Sequence, residues 1–305
     1  MRKVLQRALR WLGRKVIKPL TAFSKRKKHQ IQVNEADIRC SPVVKVALVD
    51  LMANLREKAV SGQSLPPFCD CGFRIFSQFE EDGYLAYLAA TLELTPKLFV
   101  DIGAADGVNS NCANLAINLG WHGLFIDGDC DAIERGAQYY AAHADTNLFP
   151  PLFRQSFVTA ENVNGVIGAA GFTGQIGCLS IDVDGNDCWI WNALEVVQPA
   201  VVVIESHIEL GEKNLAVPYD SSFVYPGEHP DYFGASAPAM VALGAKKGYR
   251  LVGANRYGFN LFFVRDEIHP DRVPTVSVES VLTHPRHIER LPRGKAMSGR
   301  PFVSL

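Results

Sequence analysis

Several things are missing from this 305-residue chain. Its first thirty residues contain no Asp or Glu but eleven Lys and Arg, whereas the rest carries twenty bases against 32 acids. The missing acid at one end excludes an ordinary globular surface there and implies a basic tail on an acidic body. No apolar stretch reaches the ~18 residues of a membrane span. The longest runs, such as Ala200 to Ile204, suit buried strands instead. The seven cysteines are odd in number and scattered. Cys69 and Cys71 alone lie close, and a CxC with no partner pair is a poor zinc site. With no signal peptide visible, reduced thiols and a cytoplasmic protein are expected. No internal repeat is found, which excludes a solenoid.

What is present divides the chain into four parts. Residues 1–41 form a basic amphipathic tail and linker, 42–96 a helical prefix, 97–267 the main domain with an insert at 206–234, and 268–305 an irregular tail. In "MRKVLQRALRWLGRKVIKPL", Leu5, Leu9, Leu12 and Val16 share one helical face and Lys3, Arg7, Arg10 and Arg14 another. Such a helix suits an anionic membrane surface, so residues 1–30 make the protein a candidate peripheral membrane protein. A solvated tail and a mitochondrial presequence fit the same composition. In "FSQFEEDGYLAYLAATLEL", Ser77 and Glu80 match a capping box.

From residue 97 the pattern alternates strand and helix. Five near-continuous apolar runs ("KLFVDIG", "HGLFIDGD", "LFRQSFV", "IGCLSIDVDGND", "PAVVVIES") separated by helical segments predict a parallel sheet covered on both faces. "YRLVGAN" and "FNLFFV", joined by a short turn, predict an antiparallel hairpin. The fold expected is α/β, a doubly wound, mostly parallel seven-stranded sheet with an antiparallel last strand.

In such sheets ligands lie beyond the carboxyl ends of the strands. Four of the five ends carry acids: Asp101, Asp127 with Asp129, Asp182 with Asp184, and Glu205. A dinucleotide loop starting at Gly103 would need glycine where Ala105 and Val108 stand, which argues against NAD. S-adenosylmethionine lacks phosphate and bears a sulfonium and an ammonium, so neighbouring carboxylates favour it. Asp101, Gly103, Ala105 and Gly107 then form the cofactor loop. Asp127, with Asp129 in reserve, takes the ribose hydroxyls.

These blocks, "VDIGAADG", "FIDGD", "LSIDVDGND", "VVVIES" and "GYRLVGANRYGFNLFFV", resemble in order those of FkbM-type methyltransferase domains, a branch of the class I S-adenosylmethionine-dependent methyltransferases. The resemblance spans roughly residues 77 to 266. It implies a Rossmann-like sheet of seven strands and O-methylation of a hydroxyl on a glycan or natural product. Ala105 stands where the family usually has Asn, and Asp184 where it has Glu.

The mechanism expected is in-line attack of an acceptor hydroxyl on the sulfonium methyl. Asp182 is the first candidate for the base and His207 the second. Glu205, Asp184 and Tyr219 are candidate acceptor contacts, and Tyr219, Phe223, Tyr225, Tyr232 and Phe233 candidate lid residues. Asp182, Asp184, Asp187 and Glu205 form a set that Mg²⁺ would accept. That reading ranks below a metal-free site, because Asp187 also suits a helix cap. A membrane-associated scaffold that keeps the fold without catalysis is the competing function. The acidic body argues against a nucleic-acid partner.

Overall fold

The computed structural model describes residues 38–297 and 299–305. The basic helix expected over residues 1–20, and with it the membrane contact, lies outside the described residues. Residues 48–305 form one compact unit, so most of the helical prefix is continuous with the main domain.

Strands β1 (Leu98–Ile102), β2 (His122–Asp127), β3 (Leu152–Gln155), β4 (Gly174–Ile181), β5 (Val197–Glu205), β6 (Tyr249–Ala254) and β7 (Asn260–Arg265) form one sheet in the order 3-2-1-4-5-7-6. The first five are parallel, and β7 runs antiparallel to both β5 and β6. This is the seven-stranded, Rossmann-like sheet with an antiparallel last strand that the strand pattern predicts. The order reverses between β1 and β4, which opens a crevice at their carboxyl ends.

Helices α1 (Pro42–Ser61), α2 (Glu81–Thr91), α3 (Ala113–Ile117), α4 (Cys130–Ala142), α5 (Val163–Ala169), α6 (Asp187–Ala193) and α7 (Ala237–Lys246) accompany the sheet. Side chains alternate between its faces. Val100, Ile102, Leu179 and Ile181 join Val163 and Ile167 of α5, Ile190 and Trp191 of α6, and Met240 and Leu243 of α7 in one core. Phe99 and Phe125 form an aromatic cluster with Tyr140 and Phe153, at centroid distances of 5.0 to 5.5 Å.

Two expectations are corrected. Ser77 does not cap α2, whose first residue is Glu81. Ser77 and Asp82 instead close a turn in which Asp82 Oδ2 accepts the backbone N–H groups of Ile75, Phe76 and Ser77 and the Ser77 hydroxyl, at 2.6 to 2.9 Å. A buried carboxylate offers those donors more than a hydroxyl at the helix start could. Replacing Asp82 with alanine would strand them, at ~1–3 kcal/mol for an unsatisfied buried group. Calorimetry should show a melting temperature lower by roughly 8 °C, assuming ~3 kcal/mol.

The tail is not irregular. It holds α8 (Val278–Val281) and α9 (Pro285–Ala296), in which Pro285 takes the first helical position and Pro292 lies inside. Helix α9 is mostly polar, with His287 its one buried residue, so its helical periodicity is one of charge and not of a broad apolar face. Tertiary contact holds it: His287 Nδ1 lies 3.0 Å from the carbonyl of Ile208. A Cβ on Gly294 would sit 1.7 Å from the carbonyl oxygen of Glu209, so glycine alone allows this approach.

Candidate active site

The loop after β1 is built around one glycine. Gly103 has φ +84°, and a Cβ there would lie 1.7 Å from the carbonyl oxygen of Asp182. The backbones of the β1 and β4 ends are thus in direct contact, and Asp182 N donates to the carbonyl of Ile102 at 2.9 Å. Gly103 N and Ala104 N both donate to the carbonyl of Ile126, at 2.9 and 3.1 Å, which ties the loop to β2. Ala105 follows at φ +49°, and its N–H donates to Asp127 Oδ2 at 2.7 Å. Left-handed backbone suits asparagine better than alanine, which accounts for the residue the resembling family carries there.

Asp182, Asp184 and Glu205 converge at the ends of β4 and β5. Their carboxylate oxygens lie within 4.8 Å of one another. Among the described residues none of the three forms an ion pair with Lys, Arg or His. Burial pushes the Asp182 carboxyl well above the ordinary range, and repulsion from Asp187 and Asp184 adds to it. Glu205 is pushed up by burial and then by Asp182. Such a trio attracts positive charge, and its oxygens are close enough to share a divalent cation. Asp187 stands apart. Its oxygens accept the N–H groups of Val183 and Gly185 at 2.9 Å each, so it shapes the loop before α6.

A cavity of about 900 Å³ opens over this rim. Gly103, Ala105, Asp127, Asp182, Asp184 and Glu205 line it. Asp101, Gly107, Asp129 and Tyr219 do not. Asp101 is buried and accepts from Cys112 N at 3.2 Å, and burial pushes its pKa up to about 6. Gly107 turns the loop at φ +69° while its carbonyl accepts the Tyr140 hydroxyl. Asp129 caps α4 through the N–H groups of Asp131 and Ala132. The Tyr219 hydroxyl donates to Glu161 Oε2 at 2.5 Å and accepts from Ala160 N, outside the cavity. Each of these four supports the scaffold.

His207 lies in the cavity wall, and both of its nitrogens are engaged. Nδ1 is 3.2 Å from Glu209 Oε2 and Nε2 is 2.9 Å from the carbonyl of Asp231. Both nitrogens face acceptors, so neither is free to take a proton from an incoming hydroxyl. Burial pulls the imidazole below its ordinary range, against an opposing pull from Glu209. Of the expected lid, Phe223, Tyr225 and Phe233 line the cavity. Tyr232 turns away, its hydroxyl on the carbonyl of Pro301.

Three groups of lining residues escaped the sequence reading. Gln78 and Phe79 reach the cavity from the segment before α2, and Ser156, Phe157 and Val158 from the end of β3. Arg286, Arg290 and Arg293 come from α9. The first two groups carried a signal, in "SQFEEDG" and in the strand-end position of "SFV". The arginines carried only their helical spacing, which does not say what they face.

No family model matches the sequence, and no curated protein is similar to it. Solved structures do match. An O-methyltransferase family protein from Burkholderia thailandensis is 12% identical, with a TM-score of 0.36 over 61% of this chain and 59% of that one. The chain thus spans about three-fifths of that protein's length. An S-adenosylmethionine-dependent methyltransferase from Clostridium acetobutylicum is 8% identical, with a TM-score of 0.40 over 71% of this chain and 98% of that one. The O-methyltransferase from Bacillus cereus, solved with S-adenosylhomocysteine, is 13% identical, with a TM-score of 0.40 over 70% of this chain and 88% of that one.

Proposed function

We propose that the chain is an S-adenosylmethionine-dependent methyltransferase acting on a hydroxyl of a small-molecule or glycan acceptor. The observation that carries this reading is the trio Asp182, Asp184 and Glu205, which forms no ion pair among the described residues, beside the Gly103 loop at the switch point of the sheet. A nucleotide diphosphate would be repelled there, whereas a sulfonium and an ammonium answer the charge. The cavity volume falls within the usual range for ligand pockets, ~300–1,000 Å³. The FkbM-type branch is the finer part of the proposal and rests on the ordered sequence blocks.

When bound, S-adenosylmethionine supplies a methyl group on a positively charged sulfur, which passes to a nucleophilic oxygen as the carbon–sulfur bond breaks. Asp127, fixed by Ala105 N, holds the ribose hydroxyls. Gly103 and Ala105 bring backbone against the ligand. Asp182 takes the proton from the acceptor hydroxyl, and its raised pKa makes it a stronger base than an ordinary carboxylate. Phe223, Tyr225 and Phe233 exclude water over the acceptor. Holding two reactants in line is worth ~7–11 kcal/mol, against roughly 3–5 for the base, so positioning dominates the rate.

Calorimetry of the full chain with S-adenosylmethionine tests the proposal. Saturable one-site binding is expected, weakened at least tenfold by Asp127→Ala. If the wild type does not bind, or Asp127→Ala binds equally well, the assignment fails.

A further inference from the structure

The cavity has two electrical poles. One is the carboxylate rim at the strand ends. The other is the wall formed by α9, whose Arg286, Arg290 and Arg293 follow one another at i, i+4 and i+7 and all line the cavity. Residues at that spacing share a helix face, here over a rise of about 10 Å.

The three arginines differ in what already answers them. Arg290 Nη1 lies 2.5 Å from the buried Glu209, which also faces His207, so that guanidinium belongs to the wall itself. Arg293 reaches Asp231 only at 3.4 Å and is half exposed. A pair that long and wet contributes little and can be exchanged for a ligand. Arg286 is exposed and forms no ion pair among the described residues, its guanidinium lying 5.7 Å from the centroid of the Tyr257 ring. That position is within cation–π range and orients the planar group. With the cofactor's positive charge assigned to the carboxylate rim, two guanidinium groups remain on the acceptor side with donors to spare. A neutral acceptor would leave them to water, whereas an oxyanion gains charge-assisted and bidentate bonds.

We infer that the acceptor is a hydroxy compound bearing an oxyanion, a phosphate or carboxylate group, which Arg286 and Arg293 of α9 hold while its hydroxyl faces Asp182. This deepens the methyltransferase reading and rests on it.

The test uses the full chain saturated with S-adenosylhomocysteine and titrated by calorimetry at fixed ionic strength. Inorganic phosphate, acetate and glycerol are the probes. Saturable phosphate binding is expected, at least tenfold weaker in the double variant Arg286→Ala/Arg293→Ala, with no heat from glycerol. The variant should keep its melting temperature and its affinity for S-adenosylhomocysteine, since both side chains are exposed and Arg290 is retained. Acetate binding as tightly as phosphate assigns a carboxylate acceptor, and phosphate alone a phosphate ester. Absence of saturable anion binding overturns the inference. So does anion binding that the double variant leaves intact, or that vanishes when S-adenosylhomocysteine is present, because the arginines would then serve the cofactor's own carboxylate. Failure of S-adenosylhomocysteine to bind strikes the methyltransferase reading instead. The anion titration of the ligand-free wild type against the double variant still decides the arginine wall.

Discussion

Replacing Asp182 with asparagine is expected to raise the melting temperature of the ligand-free protein while removing most of its methyl transfer. In ligand-free protein Asp182 and Glu205 are crowded carboxylates that form no ion pair among the described residues. Unfolded, they ionise near 4. Folded, burial and mutual repulsion keep them protonated to higher pH. The native state therefore binds more protons than the unfolded state across that interval, and stability falls as pH rises through it. Asp101 and Asp187, both pushed up to about 6, contribute to the lower part of the same fall. His207 and His122, whose pKa values are lowered, act in the opposite sense, but that contribution is complete by about pH 7. The wild-type melting temperature should therefore drop as pH rises above the range in which unfolded carboxylates ionise, and Asp182→Asn should flatten the slope and melt about 3 °C higher at pH 8, the effect of ~1 kcal/mol. Turnover should fall by ~10²–10⁴, the usual contribution of a general base. A variant that melts lower than wild type at pH 8 contradicts the repulsion argument, and one that turns over normally removes Asp182 from the base role.

The second large effect is expected at Gly103. Alanine there would place Cβ 1.7 Å from the Asp182 carbonyl oxygen, at a backbone φ of +84°. The left-handed strain alone costs ~1–3 kcal/mol. The collision cannot be relieved by a rotamer change, because the obstructing atom is backbone. A loss of ~4 kcal/mol is expected, lowering the melting temperature by roughly 10 °C. The ends of β1 and β4 would have to separate, so affinity for S-adenosylmethionine should fall at least a hundredfold. Gly165→Ala in α5 is the control. No atom lies within 4 Å of its added Cβ, and alanine is preferred in helices, so a gain of ~0.5–1 kcal/mol is expected. If Gly103→Ala melts and binds like Gly165→Ala, the close-approach account of the loop is wrong.

The sheet was legible in the sequence because parallel strands buried on both faces appear as near-continuous apolar runs, and β1, β4 and β5 do. The hairpin of β6 and β7 was legible because a short loop between two apolar runs leaves little choice of pairing. Strand-end acids were legible as a set, since the topology sends every parallel carboxyl end to one rim. Their individual roles were not. Asp101 and Asp129 stand at the same kind of position as Asp127, yet one is buried under the loop and the other caps α4. A side chain's choice between ligand and neighbouring backbone N–H groups depends on the loop's path, and that path is fixed by contacts such as Gly103 against Asp182.

What the sequence determined alone is the α/β class, the alternation of strands and helices along the chain, and a rim of negative charge. What only the tertiary structure decided is which acids face the cavity, that both nitrogens of His207 are engaged, and that three arginines of α9 line the same cavity. Local patterns report burial, and burial follows from periodicity. The period of α9 is one of charge, which does not report burial, so its place becomes visible only through the partners that hold it, Ile208 and Glu209, which lie about eighty residues away in the chain.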